Sequence, residues 1–413
     1  MNNVINFAND LGNSTIKGII NNTSEKIPSV IAELRTQDAY APKTFNDDSE
    51  QDEYFNNLLN HLDVSIASSA ISHNNRMLVG QAALDSHLPI TGFDVNDYSG
   101  KSETDRAIIL TLSTIAANRV TSAYHNNENV LEPLKVDVNM TTALPISEGE
   151  RKGVIEQYQQ RYLSSDHVVT FHNFKNPITV QIHFNVVMTA LEGQTAQYAI
   201  REAPSGLVQN IVSDFNTHYP NLVSQGMDPS NLHQFSNILG IDIGDGTTDL
   251  IVFQNGQTNY HASTSLDQGY GNALEEAIVE LQNQRFNIEN RAALQNLINK
   301  MPTNFIEKGK QKLAQNVVEE QLQNLTNAIV SATSKTLRKA SANIDAIFVY
   351  GGGSIPMAYT DLRNELMTKI HNFSGFIDIP VIWINESYAQ YLNVMGLKII
   401  LDRLLAQQQG TQY

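Results

Sequence analysis

The sequence contains no cysteine, a single tryptophan and far fewer basic than acidic residues. The absence of cysteine excludes disulfides, zinc-thiolate sites and thiol catalysis, and it suits a reducing compartment. Lys and Arg number 27 against 43 Asp and Glu, which gives a formal net charge of −16. Negative charge of this size repels phosphate backbones and anionic lipid, so we expect no direct nucleic-acid binding and no membrane binding.

Long apolar segments are also lacking, because the chain nowhere runs 18 apolar residues without a charge. Residues 1–7 have neither the basic n-region nor the apolar h-region of a signal peptide, so we expect a cytoplasmic protein. The length of 413 residues and a hydrophobic share of 41% are typical of a globular protein with two to four domains.

Two segments of the chain carry the same pattern of strand, glycine-containing turn and strand. Residues 4–20 predict a β-hairpin, and residues 238–253 repeat its pattern. The motif Asp10-Leu11-Gly12 aligns with Asp242-Ile243-Gly244, and Thr15 aligns with Thr247. The sequence therefore predicts an internal duplication.

The rest of the chain alternates helical and strand patterns, which indicates an α/β protein. Residues 147–163 predict a helix capped by Ser147, and residues 387–405 predict a helix with a break near Gly396. Further predicted elements are a helix at 104–123, long helices between 272 and 339, and a buried strand at 344–350 that ends in Gly351-Gly352-Gly353-Ser354.

The two hairpin turns have the chemistry of a phosphate-binding site. Successive N–H groups of a turn form an anion-binding nest, and glycine lets the backbone approach a ligand closely. Asp10 and Asp242 are the hard oxygen ligands or water contacts that Mg²⁺ prefers. Further donors are the side chains of Ser14, Thr15, Lys17, Thr247 and Thr248. One such hairpin alone is more often an ordinary turn, but two matching copies favour phosphate binding.

Two other nucleotide motifs are not expected. A dinucleotide-binding fingerprint needs its glycines to open a helix, whereas residues 250–253 after the second turn are rich in strand-forming residues. A Walker-type loop needs Gly-Lys-Ser or Gly-Lys-Thr at the entry to a helix, and we predict none. Histidines without metal-ligand spacing are given structural or surface roles, namely His73, His125, His167, His172 and His183.

Three motifs resemble those of the actin-like ATPases in the actin, sugar kinase and heat-shock chaperone superfamily. Residues 10–17 resemble the first phosphate motif, residues 242–249 the second, and residues 350–354 the adenosine motif. Within this superfamily the chain resembles ParM/StbA-type bacterial plasmid-segregation proteins, through residues 78–82, 142–148 and 391–396.

The resemblance implies two ribonuclease-H-like domains flanking a cleft that binds ATP and Mg²⁺. Domain I would comprise residues 1–145 plus 386–413, with a small subdomain inserted at about 24–100. Domain II would comprise residues 146–385, with a helical subdomain inserted at about 272–340.

The resemblance also implies the roles of individual residues. Asp242 would lie near the metal and the attacking water, and Glu148 would orient that water, although a carboxylate there also suits a helix N-terminus. Asp10 and Asp242 would contact the metal, through water.

The resemblance further implies which residues bind the nucleotide. They would be Asp10, Gly12, Asn13, Ser14, Thr15, Lys17, Gly244, Asp245, Gly246, Thr247, Thr248, Gly269, Gly271, Lys310, Gly352, Gly353 and Ser354.

Several of these roles have simpler alternatives. The three glycines at 351–353 also suit a tight turn, and Lys310 also suits a solvated helix face. Asp245 departs from the ParM-type turn and is closer to classical actin.

The function that the resemblance implies is an ATPase that polymerises with Mg-ATP, hydrolyses it, and segregates plasmid or phage DNA. Head-to-tail contacts between copies would form the filament. Because the chain is acidic, a DNA-binding adaptor protein would hold the DNA. A small-molecule kinase or a monomeric nucleotide switch of the same superfamily remains the alternative.

Overall fold

The computed structural model describes residues 3–93, 100–373 and 378–410. It divides into two compact units, of which the first comprises Met1–Thr195 with Val394–Tyr413 and the second comprises Ala196–Asn393. The borders of these units lie near residues 195 and 393, whereas the resemblance predicts borders at 145 and 386. The strand β10 explains the later border, because it pairs in parallel with β8 up to Leu144 and so belongs to the first sheet.

The strands, in chain order, are β1 (Val4–Leu11), β2 (Thr15–Ile20), β3 (Thr23–Pro28), β4 (Val30–Glu33), β5 (Leu62–Ala67), β6 (Met77–Val79), β7 (Thr91–Gly92), β8 (Leu134–Leu144), β9 (His167–Phe171), β10 (Ile178–Leu191), β11 (Ile238–Ile243), β12 (Thr248–Gln254), β13 (Gln257–Thr258), β14 (Thr264–Leu266), β15 (Ala346–Tyr350) and β16 (Val381–Trp383).

The α-helices are α1 (Asp48–Asn56), α2 (Gln81–Asp85), α3 (Asp105–His125), α4 (Ile146–Gly149), α5 (Val154–Leu163), α6 (Gln194–Arg201), α7 (Ser205–His218), α8 (Pro220–Ser224), α9 (Tyr270–Asn283), α10 (Arg291–Asn299), α11 (Phe305–Lys339), α12 (Ser354–Met357), α13 (Leu362–Phe373), α14 (Glu386–Ala389) and α15 (Leu392–Gly410).

The first unit is built on a sheet with the strand order β3-β2-β1-β8-β10-β9-β5-β6-β4-β7. Its central strands are buried on both faces, which is why β8 is almost continuously apolar or small. The helix α3 packs against this sheet and is apolar on most sides, so residues 107–117 are all buried. The helix predicted at 104–123 is thereby confirmed.

The second unit repeats the central part of that sheet, with the order β13-β12-β11-β15-β16 and with β14 paired to β12. Its core is formed by the apolar residues of these strands together with α11 and α13, for example Ile241, Leu325 and Leu366. A separate apolar cluster joins α9, α10 and the first half of α11, and it includes Leu281, Leu294 and Ala314.

The duplication predicted from the two hairpins is present in the strand pairing. Asp10 pairs with Lys17 and Leu11 with Ile16 in the first hairpin. Adding 232 to these numbers gives the pairs of the second hairpin, Asp242 with Asp249 and Ile243 with Thr248. In both units the first strand of the hairpin also pairs in parallel with the next central strand, β8 or β15.

Two predicted helices are corrected by the structure. The helix predicted at 147–163 is divided into α4 and α5, because Gly153 has a left-handed φ of +84° and Pro145, not Ser147, precedes the first helical turn. The break predicted near Gly396 was also wrong. That residue lies inside α15, where a Cβ would collide with the carbonyl oxygen of Thr195 at 1.8 Å.

Candidate functional site

The turn of the first hairpin offers two consecutive backbone donors. Within the part of the chain that the structure describes, the N–H groups of Asn13 and Ser14 donate no hydrogen bond. Ser14 is exposed, and Gly12, Asn13 and Thr15 are partly exposed. Neighbouring N–H groups in a turn of this kind form a binding site for an anion such as phosphate.

The shape of this turn depends on Gly12 and on Ser29, which lies between β3 and β4. A Cβ added to Gly12 would lie 2.6 Å from the carbonyl oxygen of Thr15, so only glycine fits. The hydroxyl of the buried Ser29 donates a hydrogen bond to the Gly12 carbonyl at 2.7 Å. The Ser29 N–H donates one to the Ser14 carbonyl at 3.0 Å. Ser29 therefore holds the turn in shape, although no sequence pattern singled it out.

The two charged residues of the first hairpin lie opposite each other. Lys17 Nζ is 3.8 Å from Asp10 Oδ2, and Asp10 is buried whereas Lys17 is partly exposed. Lys17 therefore places a cation beside the Asp10 carboxylate.

Glu148 lies in the first unit with its carboxylate bound by backbone. Its Oε1 accepts a hydrogen bond from the N–H of Lys101 at 2.9 Å, and its Oε2 accepts one from Ser102 at 3.0 Å. Gly100 has a φ of +74°, and a Cβ there would lie 2.3 Å from the Glu148 carboxyl carbon. Glu148 is 8% exposed, so its orientation is fixed by these contacts.

The segment that binds Glu148 is Gly100-Lys101-Ser102, a Gly-Lys-Ser tripeptide. The expectation that the chain has no such tripeptide was therefore wrong. The segment is still not a Walker loop, because the first glycine of that motif would fall at Val95. Its N–H groups bind a carboxylate of the protein itself, and the Lys101 side chain pairs with Glu192.

Lys101 is a buried cation that sequence reasoning missed. It is 7% exposed, and its Nζ lies 2.8 Å from Glu192 Oε1. Burial alone would lower the pKa of Lys101, but the nearby carboxylates of Glu192, Asp10 and Glu148 outweigh it and raise this pKa above 10.5. The ammonium is therefore charged at neutral pH.

Substitution of Lys101 tests this ion pair. We expect Lys101→Met to lower the free energy of unfolding by up to about 3 kcal/mol, because it leaves the Glu192 carboxylate, whose side chain is 14% exposed, without this cation. Because the folded pKa of Lys101 is raised, this stabilisation is complete below the pKa of the unfolded chain and disappears as pH rises through the folded pKa.

Urea denaturation of the wild type and Lys101→Met at several pH values measures this difference. The difference in the free energy of unfolding between the two proteins should be constant from about pH 7 to 9 and shrink above the ordinary lysine pKa of about 10.4. The double variant Lys101→Met/Glu192→Met is the control, and it should regain much of the loss because neither charge of the pair is left without the other. A Lys101→Met variant as stable as the wild type would contradict the assignment.

The turn of the second hairpin resembles the first, although the N–H of Gly244 donates to the Thr247 carbonyl whereas that of Gly12 donates to the Asp10 carbonyl. Gly244 occupies the place of Gly12, and a Cβ there would lie 3.0 Å from the carbonyl oxygen of Thr247. The N–H groups of Asp245 and Gly246, which correspond to Asn13 and Ser14, donate no hydrogen bond within the described residues. Each unit therefore has a pair of unbonded N–H groups at the same place in its turn, although Gly246 is buried where Ser14 is exposed.

The Asp245 side chain is held by an arginine that the sequence did not single out. Arg291, the first residue of α10, donates to both oxygens of Asp245, at 2.9 and 2.8 Å. Asp245 therefore adds no net charge beside the turn. Gly269 and Gly271 pack against the same turn, where the Asp245 carbonyl accepts from the N–H of Gly271 at 2.8 Å.

Asp242 stands at the end of β11 beside the adenosine motif. Its Oδ2 accepts a hydrogen bond from Asn393 Nδ2 at 2.7 Å. A Cβ on Gly351 would lie 2.2 Å from Asp242 Oδ1, so the turn after β15 passes directly over the carboxylate. Asp242 is partly exposed, and Asn393 fixes its orientation.

The glycines of the adenosine motif differ in their surroundings. A Cβ on Gly353 would lie 2.8 Å from the carbonyl oxygen of Gly244, so this glycine is required by packing against the hairpin. Gly352 is exposed, and a Cβ there would meet nothing within 4 Å. Only Gly352 therefore leaves space that a ligand can use.

Three predicted nucleotide-binding residues are placed differently from the rest. Thr248 and Ser354 are fully buried, and their hydroxyls donate to the Gln268 and Gly351 carbonyls at 2.7 and 2.8 Å. These hydroxyls stabilise the loops of the site. Lys310 is exposed in the second turn of α11, and its role in nucleotide binding stays a prediction.

No group of three or more His, Asp or Glu residues in the described part of the chain forms a metal site. Asp10 lies opposite Lys17 and Asp242 opposite Asp249, so each hairpin offers few carboxylates, which fits a Mg²⁺ ion held mainly by phosphates and water.

His167, for which the sequence predicts a structural or surface role, is buried. Its Nε2 is hydrogen-bonded to the Tyr162 carbonyl, and burial lowers the pKa of its imidazole. None of the described helices has the length and apolar character needed to cross a membrane.

Two copies of one mixed sheet, each with a glycine-containing hairpin turn, define an actin-like α/β fold. Two family models agree: the N-terminal domain of actin-like proteins matches residues 8–194, and the C-terminal part of the archaeal actin homologue MreB-like family matches residues 240–360. Together they cover about three quarters of the chain. The chain therefore belongs to the actin-like proteins.

Solved structures share this fold over nearly the whole chain. The actin-like protein Alp7A has a TM-score of 0.68 and 15% identity, over 99% of both chains. ParM of Bacillus thuringiensis with ATP has a TM-score of 0.56 and 19% identity, over 98% of this chain and 100% of that chain. The archaeal actin homolog Ta0583 has a TM-score of 0.59 and 15% identity, over 97% and 99%. No curated protein matches the sequence.

Proposed function

We propose that this chain is an ATP-dependent, filament-forming actin-like protein that hydrolyses ATP after assembly. The observation that carries the proposal is the repeated turn. Two turns, related by the same residue offset, each present two unbonded N–H groups next to an aspartate, Asp10 or Asp242. The structure of a similar ParM with ATP supports ATP as the ligand.

The residues of each unit have distinct roles in this proposal. In the first unit, the N–H groups of Asn13 and Ser14 bind phosphate, Lys17 neutralises its charge, and Asp10 contacts the Mg²⁺ through water. Glu148 orients the attacking water, held in place by the N–H groups of Lys101 and Ser102.

In the second unit, the N–H groups of Asp245 and Gly246 bind phosphate. Asp242, oriented by Asn393, would hold the Mg²⁺ ion through water and would contact the attacking water. The metal ion would supply neutralisation of the phosphate charge. Gly352 lets the adenosine approach the backbone.

Light scattering of the pure protein with Mg-ATP tests the function, followed by electron microscopy and phosphate release on the same sample. Filaments that appear with ATP, with phosphate release lagging behind, would establish the proposal. Steady hydrolysis without scattering would overturn it and favour a kinase or a monomeric nucleotide switch.

We also propose that the filament moves DNA through a DNA-binding adaptor protein, as in ParM-type segregation. The net charge of −16 supports an adaptor, because the chain itself repels DNA. A salt-sensitive gel shift of DNA by the pure protein would contradict this part.

A matched pair of glycine variants tests the adenosine motif. Gly352→Ala should leave thermal stability unchanged and weaken ATP binding, because its methyl group enters open space on the ligand side. Gly353→Ala should lower stability, since its methyl group would press on the hairpin 2.8 Å away. Thermal unfolding and ATP titration of both variants measure the contrast. Unchanged ATP affinity in Gly352→Ala would remove this residue from the site.

A further inference from the structure

The beginning of α11 exposes large apolar side chains that nothing in the second unit covers in the described residues. Met301, Phe305 and Ile306 are 87%, 89% and 70% exposed, respectively. Single exposed apolar residues are common on protein surfaces, but three within six residues form a patch. Such patches mark sites of contact with another molecule.

The patch is held on an ordered scaffold. Asn304 caps α11 by accepting from the N–H of Glu307 at 2.9 Å, and the Glu307 carboxylate accepts from the N–H and hydroxyl of Thr303 at 2.8 and 2.7 Å. Gln311 then ties α11 to the end of α10 by donating to the Lys300 carbonyl at 2.7 Å. The apolar side chains therefore stay exposed in a fixed arrangement.

The same segment, residues 300–313, is basic, and we call it the α11 tip. Its one acidic residue, Glu307, serves in the helix cap. Its four lysines are all exposed and give it a net charge of +3 on a chain of net charge −16, namely Lys300, Lys308, Lys310 and Lys312. A basic and apolar surface of this kind selects an acidic partner.

The first unit of the same chain carries an acidic surface that fits. Residues 47–53, at the start of α1, contain five carboxylates and no basic residue. Four of them are exposed, and the fifth, Glu50, pairs with Lys43. A chain with one basic and one acidic surface can bind a further copy at each, which gives a repeating, non-closing contact.

We propose that the α11 tip binds the acidic start of α1 in a second copy of this chain. This inference rests on the proposed function, because it names a contact by which the filament assembles. Apolar burial of Phe305 and Ile306 would supply affinity, and the charge pairs would select the register.

Charge reversal on each surface tests the contact. Lys300→Glu/Lys312→Glu and, separately, Asp48→Lys/Glu53→Lys should each raise the protein concentration needed for assembly with Mg-ATP, by about tenfold or more, because like charges then face each other. A chain carrying all four substitutions should regain assembly near the wild-type concentration. Phe305→Ser/Ile306→Ser should lose assembly without regain.

The matched control is Lys335→Glu/Lys339→Glu, which reverses two exposed lysines at the other end of α11 and should assemble like the wild type. Circular dichroism and ATP titration of each variant show that folding and nucleotide binding are intact.

The outcomes separate the two proposals. Absence of assembly in the wild type overturns the proposed function and this contact with it. Wild-type assembly with unaffected α11 tip variants overturns the contact alone. If the single-surface variants are impaired and the chain with all four substitutions does not regain assembly, the choice of α1 as the partner surface is overturned.

Discussion

Asp242→Asn is expected to bind ATP nearly as the wild type does and to hydrolyse it about 100-fold or more slowly, the range found when a carboxylate that handles a proton is removed. The amide has almost the same size, so it can keep the contact with Asn393 and the packing against Gly351. The lost negative charge removes the contact to the attacking water. Filaments should therefore form and persist for longer.

Glu148→Gln is the companion variant, and we expect a similar loss of hydrolysis with retained binding. Glu150→Gln is the control, because Glu150 is an exposed carboxylate two residues further along the chain. Phosphate release under single-turnover conditions, with ATP affinity measured in parallel, compares the three. Hydrolysis at the parent rate in either Asp242→Asn or Glu148→Gln would show that its assignment is wrong.

Gly12→Val and Gly244→Val are expected to abolish measurable ATP binding. The added side chain would meet the carbonyl of Thr15 or Thr247 at 2.6 or 3.0 Å, which forces the turn open and moves its N–H donors. Loss of two hydrogen bonds to a charged group, at about 1.5–3 kcal/mol each, corresponds to roughly 100-fold or more in affinity.

Titration with Mg-ATP measures this loss, and near-ultraviolet circular dichroism shows whether the units remain folded. Gly309→Ala is the control, because a Cβ at Gly309 on α11 meets nothing within 4 Å. The milder variant Gly12→Ala should bind ATP less tightly than Gly244→Ala does, because the Cβ at position 12 lies closer to a carbonyl oxygen than the Cβ at position 244. Retained affinity in the valine variants would refute the placement of the phosphates at these turns.

The hairpins were the part of the fold that the sequence predicted best. Turn chemistry and strand patterns are local, so the alignment of Asp10 with Asp242 already contained the pairing register that the two hairpins share. The same local signals located α3, β11 and β15 to within a few residues.

The supports of the site could not be predicted in this way, because they come from distant parts of the chain. Ser29 braces the first turn, Asn393 holds a carboxylate 151 residues away, and Arg291 pairs with Asp245 across 46 residues. A single Ser, Asn or Arg has no pattern in sequence. Only Lys101 had a visible signal, the Gly-Lys-Ser tripeptide, and its partner Glu192 was not visible.

The errors in the helices have a common physical cause. Glycine both ends helices and allows close packing, and the sequence does not distinguish these uses. Gly153 ends a turn before α5, whereas Gly396 lies within α15 and lets the helix approach Thr195. Gly396 is buried against Thr195, whereas Gly153 is partly exposed, and this difference in burial matches their different roles.

The helix α11 is one continuous element that packs into both apolar clusters of the second unit. Its 35 residues correspond to a rod of about 52 Å. One end packs in the core beside β11, through Ile329 and Leu337, and the other end carries the exposed Phe305. As a lever, such a rod would convert a tilt of about 5° at the core into a displacement of roughly 4–5 Å at its far end. A small tilt of α11 beside the second hairpin would therefore move the exposed surface at its first turn by several ångströms.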